Sequence, residues 1–336
     1  MAVNPWLACP TYSVNLDDSM ERRFAGMPPD LLAKVRSLLR ELTAWIPHET
    51  RYLADAVRVL TEHRFHHEVV TLADILGVDW RDLMLANLAY DLRASRYGCS
   101  TIALATGDGP VLARNMDWMP PDLLARASCL VTFTRNGEIA FTNAGWLGAT
   151  GIVTGMGRGF AVVLNAVFSA EQGRRRKGFP VLLHLRRVVE DAVSFDHALA
   201  MLDSQELATS ALFTLVGVEN RQRVVVERSP TKCALRYPEG DAALLATNDY
   251  RLLAKPMPND SSEIFRTTCS RYEHLSTTFN EHDANREVGD AELLYLLTDE
   301  NVIQSCTAQH VVMRPAQGSI KLFVPRRLIA SEGRDA

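Results

Sequence analysis

The chain has 336 residues, 47% of them hydrophobic and 23% charged, with a net charge of −4. Such a composition fills one large domain or two smaller ones, and the small net charge offers no general attraction to phosphate backbones, which argues against nucleic acid as a partner. The six cysteines are scattered, with neither a CxxC pair nor a zinc-like spacing, so a disulfide framework is not indicated.

The first twenty residues, MAVNPWLACPTYSVNLDDSM, lack a basic start and a continuous apolar core, so no secretory signal is read there. No apolar run approaches the ~20 residues that cross a bilayer. The expectation is a cytoplasmic protein without stable membrane insertion.

After an irregular start through Asn15-Leu16-Asp17-Asp18, Pro28-Pro29-Asp30 opens a helix whose apolar residues Leu31, Val35, Leu38, Leu39 and Leu42 recur at helical spacing until Pro47 stops it. Further helical patterns run from about 49 to 62 and from 79 to 92, the last with Leu83, Leu85, Ala86, Leu88 and Ala89 on one broad face. His63, His66 and His67 with Glu68 raise the question of a metal. Arg64 and Phe65 intervene and no second ligand group lies at a recognisable spacing, so the segment reads as surface and neither metal nor cofactor is expected.

Tyr97-Gly98-Cys99-Ser100-Thr101-Ile102-Ala103 changes the texture from helix to strand. A Gly107-Asp108-Gly109 turn leads into a second strand ending Arg114-Asn115-Met116-Asp117-Trp118, which sets a thiol opposite a charged pair. Cysteine inside a chain has no base of its own. If the Gly98–Cys99 bond is cut, the new α-amine titrates near pH ~8 and can take the thiol proton. The ordinary alternative is that Cys99 is a small buried hydrophobe. Arg114 and Asp117, three apart on a strand, point to opposite faces unless the strand bends, and a surface ion pair is their ordinary alternative.

Short strands follow at 100–106, 111–116, 129–135, 138–142, 150–155 and 160–167, with Asn136-Gly137 a strong hairpin signal. The basic run Arg174-Arg175-Arg176-Lys177 reads as a solvated loop. Pro180 opens a helix to about Asp191, and Ser194 caps another from Phe195. Strands near 211–218, 223–228, 233–237 and 242–247, helices at about 268–279 and 290–297, and strands at 306–313 and 319–324 complete the pattern. Runs of strands alternating with runs of helices predict an α+β fold with two antiparallel sheets between helical layers. The tail, 331–336, reads as flexible.

The segments CSTIALATGDGPVLARNMDW, FTRNGEIAFT, MLANLAYD and LLATND resemble the acid ceramidase and N-acylethanolamine acid amidase family of the choloylglycine hydrolase superfamily, from about Asn15 through Met313. The resemblance implies an N-terminal-nucleophile cysteine hydrolase with the αββα four-layer sandwich. It implies that residues 1–98 are a helical leader, the α-subunit separated by autocleavage at Gly98–Cys99. Residues 99–330 are then the catalytic β-subunit and 331–336 its tail. It also implies that the two fragments stay associated, and it leaves open a homo-oligomer.

The implied chemistry is hydrolysis of the linear amide of a small-molecule N-acyl amine through a thioester on Cys99. Alternatives are transfer of the acyl group to an amine, or a binding protein that kept the fold. Asp117 is implied to orient the α-amine and Arg114 to sustain the local charge. Asn248, of Thr247-Asn248, is implied to donate to the oxyanion, and a turn residue is its ordinary alternative. Asn165, ending the apolar run Val162-Val163-Leu164, resembles an asparagine that bile salt hydrolases and penicillin acylases hold near the site. Arg266 resembles the family's late arginine, with Arg271 close enough to be the equivalent. Trp118, Met119, Trp146 and Leu147 flank the strands and are candidates for an apolar acyl pocket, with core packing the alternative for each.

Overall fold

The computed structural model describes residues 4–93, 97–167, 178–254, 266–280 and 282–329. The basic run at 174–177 and the tail 331–336 lie outside them. The chain opens with two short strands, β1 (Trp6–Ala8) and β2 (Thr11–Asn15). Helices α1 (Met20–Arg23), α2 (Pro29–Thr43), α3 (Tyr52–Leu60), α4 (His66–Leu76), α5 (Trp80–Asn87) and α6 (Ala89–Arg93) follow.

The hairpin β3 (Tyr97–Leu104) and β4 (Val111–Trp118) comes next, then α7 (Pro121–Ala127) and strands β5 (Ser128–Arg135), β6 (Glu138–Trp146), β7 (Thr154–Gly157) and β8 (Phe160–Asn165). After α8 (Val181–Asp191) and α9 (Phe195–Ser204) come β9 (Ala211–Val216), β10 (Arg223–Arg228), β11 (Cys233–Arg236) and β12 (Leu244–Ala246). Helices α10 (Thr268–Thr278) and α11 (Asp290–Leu297), strands β13 (Thr307–Arg314) and β14 (Ser319–Pro325), and α12 (Arg326–Ile329) complete the chain.

Among the described residues the strands form two sheets, in the orders β1-β14-β13-β4-β3-β12 and β11-β10-β9-β8-β7-β6-β5-β2. The alternation of β3 explains how they stack. Ala103 and Leu112 face inward and share a core with Ala144, Ala161, Val163, Leu212 and Val216 of the second sheet. Ile102, Leu104, Val111 and Ala113 face outward and pack on Leu275, Leu293 and Leu297 of α10 and α11. The far face of the second sheet carries Phe133, Phe141, Val162 and Phe213 and is covered by α8, α9 and the N-terminal helices. Helix, sheet, sheet and helix are thus four layers, as the strand and helix runs predicted.

The hairpin turns follow from backbone geometry. Asn136 and Gly137 both have positive φ, 52° and 79°, which matches the twist of the strands they join. Gly109 has φ 95°, and a Cβ there would lie 3.0 Å from the Val218 carbonyl oxygen, so the position has neither the conformation nor the room for a side chain.

The N-terminal segment holds more than helices. β1 pairs with β14 and β2 pairs in parallel with β5, so this segment supplies an edge strand to each sheet. Helix α4 also escaped the sequence reading. Its buried stripe Val69, Leu72, Ala73 and Leu76 carries Glu68, which pairs through Oε2 with Nη2 of buried Arg186 on α8 at 3.1 Å. That ion pair ties the N-terminal helices to the second sheet's helical layer.

Candidate active site

β3 and β4 are neighbouring inner strands, and every residue of β4 is buried. In their antiparallel register Cys99 stands opposite Met116, Thr101 opposite Arg114, and Gly98 opposite Asp117. Facing residues share a side of the sheet, so Cys99, Thr101 and Arg114 look toward the second sheet while Gly98, Ser100 and Asp117 look toward α10. The site is built on both sides of one strand.

On the inner side, the Cys99 thiol donates to the Leu164 carbonyl at 3.4 Å and receives Nη2 of Arg114. Arg114 is wholly buried. Its Nη1 donates to Thr154 Oγ1 at 2.6 Å and to the Val153 carbonyl at 3.4 Å, while Nε reaches the Asn115 carbonyl at 3.3 Å. Among the described residues no carboxylate pairs with this guanidinium. A buried cation surrounded by neutral acceptors favours ionisation of the one acidic group it touches, the thiol. Burial nevertheless pushes the Cys99 thiol up; Arg114 and then Arg271 pull it down, and Asp117 opposes them.

On the outer side, α10 presents Thr268, Arg271 and Leu275 as its buried stripe. Arg271 donates from Nη1 to the Cys99 carbonyl at 2.6 Å and to Ser100 Oγ at 2.9 Å, and from Nη2 to Asn248 Oδ1 at 2.7 Å. The same Asn248 oxygen accepts the Cys99 backbone N–H at 3.2 Å. Asn248 is fixed by its own N–H to Thr268 Oγ1 at 2.7 Å and by its amide Nδ2 to the Ala166 carbonyl at 2.8 Å. Asp117 accepts from Thr307 Oγ1 at 2.6 Å, and its Oδ2 finds no donor among the described residues. Burial raises the Asp117 carboxyl, with Arg271, the Thr307 hydroxyl and Arg114 pulling it back. That open oxygen lies on the face where Gly98 stands.

The structure brings together Gly98, Cys99, Arg114, Asp117 and Asn248. It also brings Asn165 close, with no amide N–H to spare: Oδ1 accepts Thr101 Oγ1 at 2.7 Å while Nδ2 donates to the carbonyls of Ala246 at 3.1 Å and Thr247 at 3.0 Å. Asn165 thus stands near the site, as expected, and clamps β3, β8 and the end of β12 together. Arg266 is exposed and stands apart, so Arg271 is the late arginine of the site.

Of the expected acyl-pocket residues, Trp118 and Trp146 line a narrow cavity of about 20 Å³ together with Met116, Leu124, Val153 and, from α5 of the leader, Ala86 and Asn87. Leu147 is buried in the adjoining core, as its core-packing alternative allowed. Met119 is 43% exposed, because the residue after Trp118 turns to the other side of the strand's end and leaves the core. Sequence reasoning missed Thr154, Thr307 and Asn143; nothing in their local sequence singles out a threonine or asparagine that long-range packing places.

Two stacked sheets between helical layers, with Cys99 on an inner strand, form the N-terminal-nucleophile hydrolase sandwich, and a solved structure bears out the fold. The Caenorhabditis elegans N-acylethanolamine-hydrolyzing acid amidase ortholog superposes with a TM-score of 0.52 at 19% identity, over 65% of this chain and 93% of that one. The family described as acyl-coenzyme A:6-aminopenicillanic acid acyl-transferase matches residues 104–313, and the chain belongs to that family. Among curated relatives, N-acylethanolamine-hydrolyzing acid amidase of Mus musculus is 24% identical over 251 residues, 67% of either chain. A probable acid ceramidase of Caenorhabditis elegans is 23% identical over 94% of this chain and 85% of its own.

Proposed function

We propose that the protein is an autoprocessing cysteine amidohydrolase that cleaves the linear amide of an N-acyl amine through a thioester on Cys99. The observation that carries this reading is the convergence on one residue. Arg114 holds the Cys99 sulfur, Asn248 its N–H and Arg271 its carbonyl. Backbone partners come with the burial of any residue, whereas a guanidinium on the sulfur is what a purely structural cysteine does not need.

In the uncut chain the buried thiol attacks the Gly98 carbonyl carbon, the Gly98–Cys99 C–N bond breaks, and the acyl group passes to sulfur. Water then releases the Gly98 carboxylate, leaving a free thiol and a free α-amine. That amine is already aimed at Asn248 Oδ1, and Asp117, across from Gly98, can hold its charged form. In turnover the amine takes the thiol proton, sulfur attacks the substrate carbonyl, and the proton passes to the leaving amine. Water resolves the thioester to a carboxylic acid. Asn248, whose Nδ2 has a second N–H beyond the one given to Ala166, is the proposed oxyanion donor; such a donor contributes about 2.7–4 kcal/mol.

Transfer to an amine in place of water is the second reading, favoured by the activity in the family's description. Both readings keep the fragments together, since the leader supplies edge strands to both sheets and part of the cavity wall. Intact mass recorded between pH 4.5 and 8 tests the first step: two fragments parting at Gly98–Cys99 in the wild type and one chain in Cys99→Ala are expected. A chain that stays whole at every pH and resists thiol-directed acyl probes would overturn the mechanism. A panel of N-acyl amines with and without added hydroxylamine separates hydrolysis from transfer.

A further inference from the structure

The cavity beside Cys99 is lined by apolar side chains, two tryptophans and two asparagines, and the asparagines differ. Asn87 of the leader has every polar atom engaged: Oδ1 accepts the Gly151 N–H at 2.9 Å, and Nδ2 donates to the carbonyls of Leu83 at 2.9 Å and Gly148 at 3.1 Å. Asn143 of β6 is 2% exposed, and its Nδ2 donates to the Ala149 carbonyl at 3.2 Å. That bond fixes which end of the amide is which and leaves Oδ1, a buried acceptor, without a donor among the described residues. An orphaned buried carbonyl costs free energy that a donor placed beside it recovers.

The space next to that oxygen is reserved by a glycine. A Cβ built on Gly145 would sit 3.2 Å from Asn143 Oδ1, so the smallest residue keeps the oxygen approachable from the cavity that both residues line. The cavity adjoins the reacting group, because its wall includes Met116, the cross-strand neighbour of Cys99, and Val153, whose carbonyl receives Arg114. At about 20 Å³ it takes a group of roughly one water's size and no long chain.

We propose that Asn143 is the specificity-determining residue of the acyl pocket and that it selects compact acyl groups carrying a hydroxyl or N–H donor near the scissile carbonyl over plain hydrocarbon acyl groups. This rests on the amidase reading above. Asn143 forms no bond to the reacting atoms. It discriminates because a hydroxyl of the acyl group fits the water-sized space and pairs with its oxygen, whereas a plain acyl group leaves that oxygen unpaired, a penalty of about 10- to 100-fold in kcat/KM.

The test uses matched amides of one fluorogenic amine, 3-hydroxybutanoyl against butanoyl, on the processed wild-type enzyme. The hydroxyacyl amide is expected to be preferred by at least about tenfold. Asn143→Leu removes the acceptor, and Gly145→Ala keeps it but sets a methyl against it. In either variant the preference is expected to fall to about one. Equal kcat/KM for the pair in the wild type, or a preference that survives in whichever variant remains active, would overturn the proposal. A second readout needs no turnover: quenching of Trp118 and Trp146 fluorescence by free 3-hydroxybutanoate against butanoate. A chain that neither splits at Gly98–Cys99 nor hydrolyses any amide of the N-acyl amine panel is the separate outcome that sinks the amidase reading. The acid titration then decides the pocket, tighter binding of the hydroxy acid upholding it and equal or absent binding overturning it.

Discussion

Two buried arginines grip the same residue from opposite sides of one strand, and they hold different parts of it. Arg114, from the inner face, reaches the sulfur; its other contacts are the neutral oxygens of Thr154, Val153 and Asn115. Arg271, from the outer face, reaches the Cys99 carbonyl and the oxygen of Asn248, and Asp117 is the group that most offsets the fall in its pKa caused by burial. One cation acts on the charge of the Cys99 thiol, the other on the Cys99 carbonyl and, through Asn248, on the N–H side of the Gly98–Cys99 bond. The consequence is that chemistry and geometry are separable by mutation.

The largest effect is expected from Arg271→Met. Removing it strips donors from the Cys99 carbonyl, Ser100 Oγ and Asn248 Oδ1, so chain splitting should slow by at least ~10²-fold and stability should fall by about 1–3 kcal/mol, read from a mass time course and thermal melting. Arg114→Leu should slow alkylation of the Cys99 thiol by iodoacetamide about tenfold or more at neutral pH, with a much smaller change in melting, since a leucine fills the space without leaving a carboxylate unpaired. Equal loss of melting temperature in the two variants would show the comparison to be false.

A pH profile of either variant is readable only once Asp91 is accounted for. Its residue is partly exposed, yet its Oδ2 is shut from solvent without a donor among the described residues, and Oδ1 accepts the Val181 N–H at 3.0 Å at the start of α8. Burial raises this carboxyl to about 7. A folded-state value above the unfolded one means that its contribution is fully present below about pH 4 and is lost as pH rises toward 7. Asp91→Asn, which keeps the acceptor for Val181, should flatten the fall in melting temperature between pH 4.5 and 7.5. The smallest effect belongs to Arg266→Ala: a change within about 0.5 kcal/mol and unaltered splitting, because the side chain is exposed.

The strands from β3 onward were legible because alternation and turn residues act locally, and the Asn136-Gly137 hairpin lies where its dipeptide places it. β1 and β2 were not. At three and five residues they carry no pattern of their own and exist because β14 and β5 offer them an edge. The choice between Arg266 and Arg271 had a readable signal in the helix: Thr268, Arg271 and Leu275 fall at i, i+3 and i+7, one buried stripe, whereas Arg266 precedes it. Asn165 and Asn248 look alike as strand-end amides. Only the carbonyls that the fold delivers to them decide that one is a clamp and the other faces the Cys99 N–H.

β3 runs without a break through the proposed cut, with Tyr97 and Gly98 paired to Trp118 and Asp117. Breaking the peptide bond does not by itself lift these two residues off β4. After the proposed cut the new carboxyl end at Gly98 stays beside Cys99, held by pairing of about 0.5–1.5 kcal/mol per hydrogen bond and by the tether of its own helices. Under the proposed cut, these two residues are the first product and stay beside Cys99 at the high local concentration of a folded neighbour. The expected outcome is a lag in the onset of activity set by the peeling back of these two residues, unimolecular and therefore unchanged by dilution in a progress-curve series.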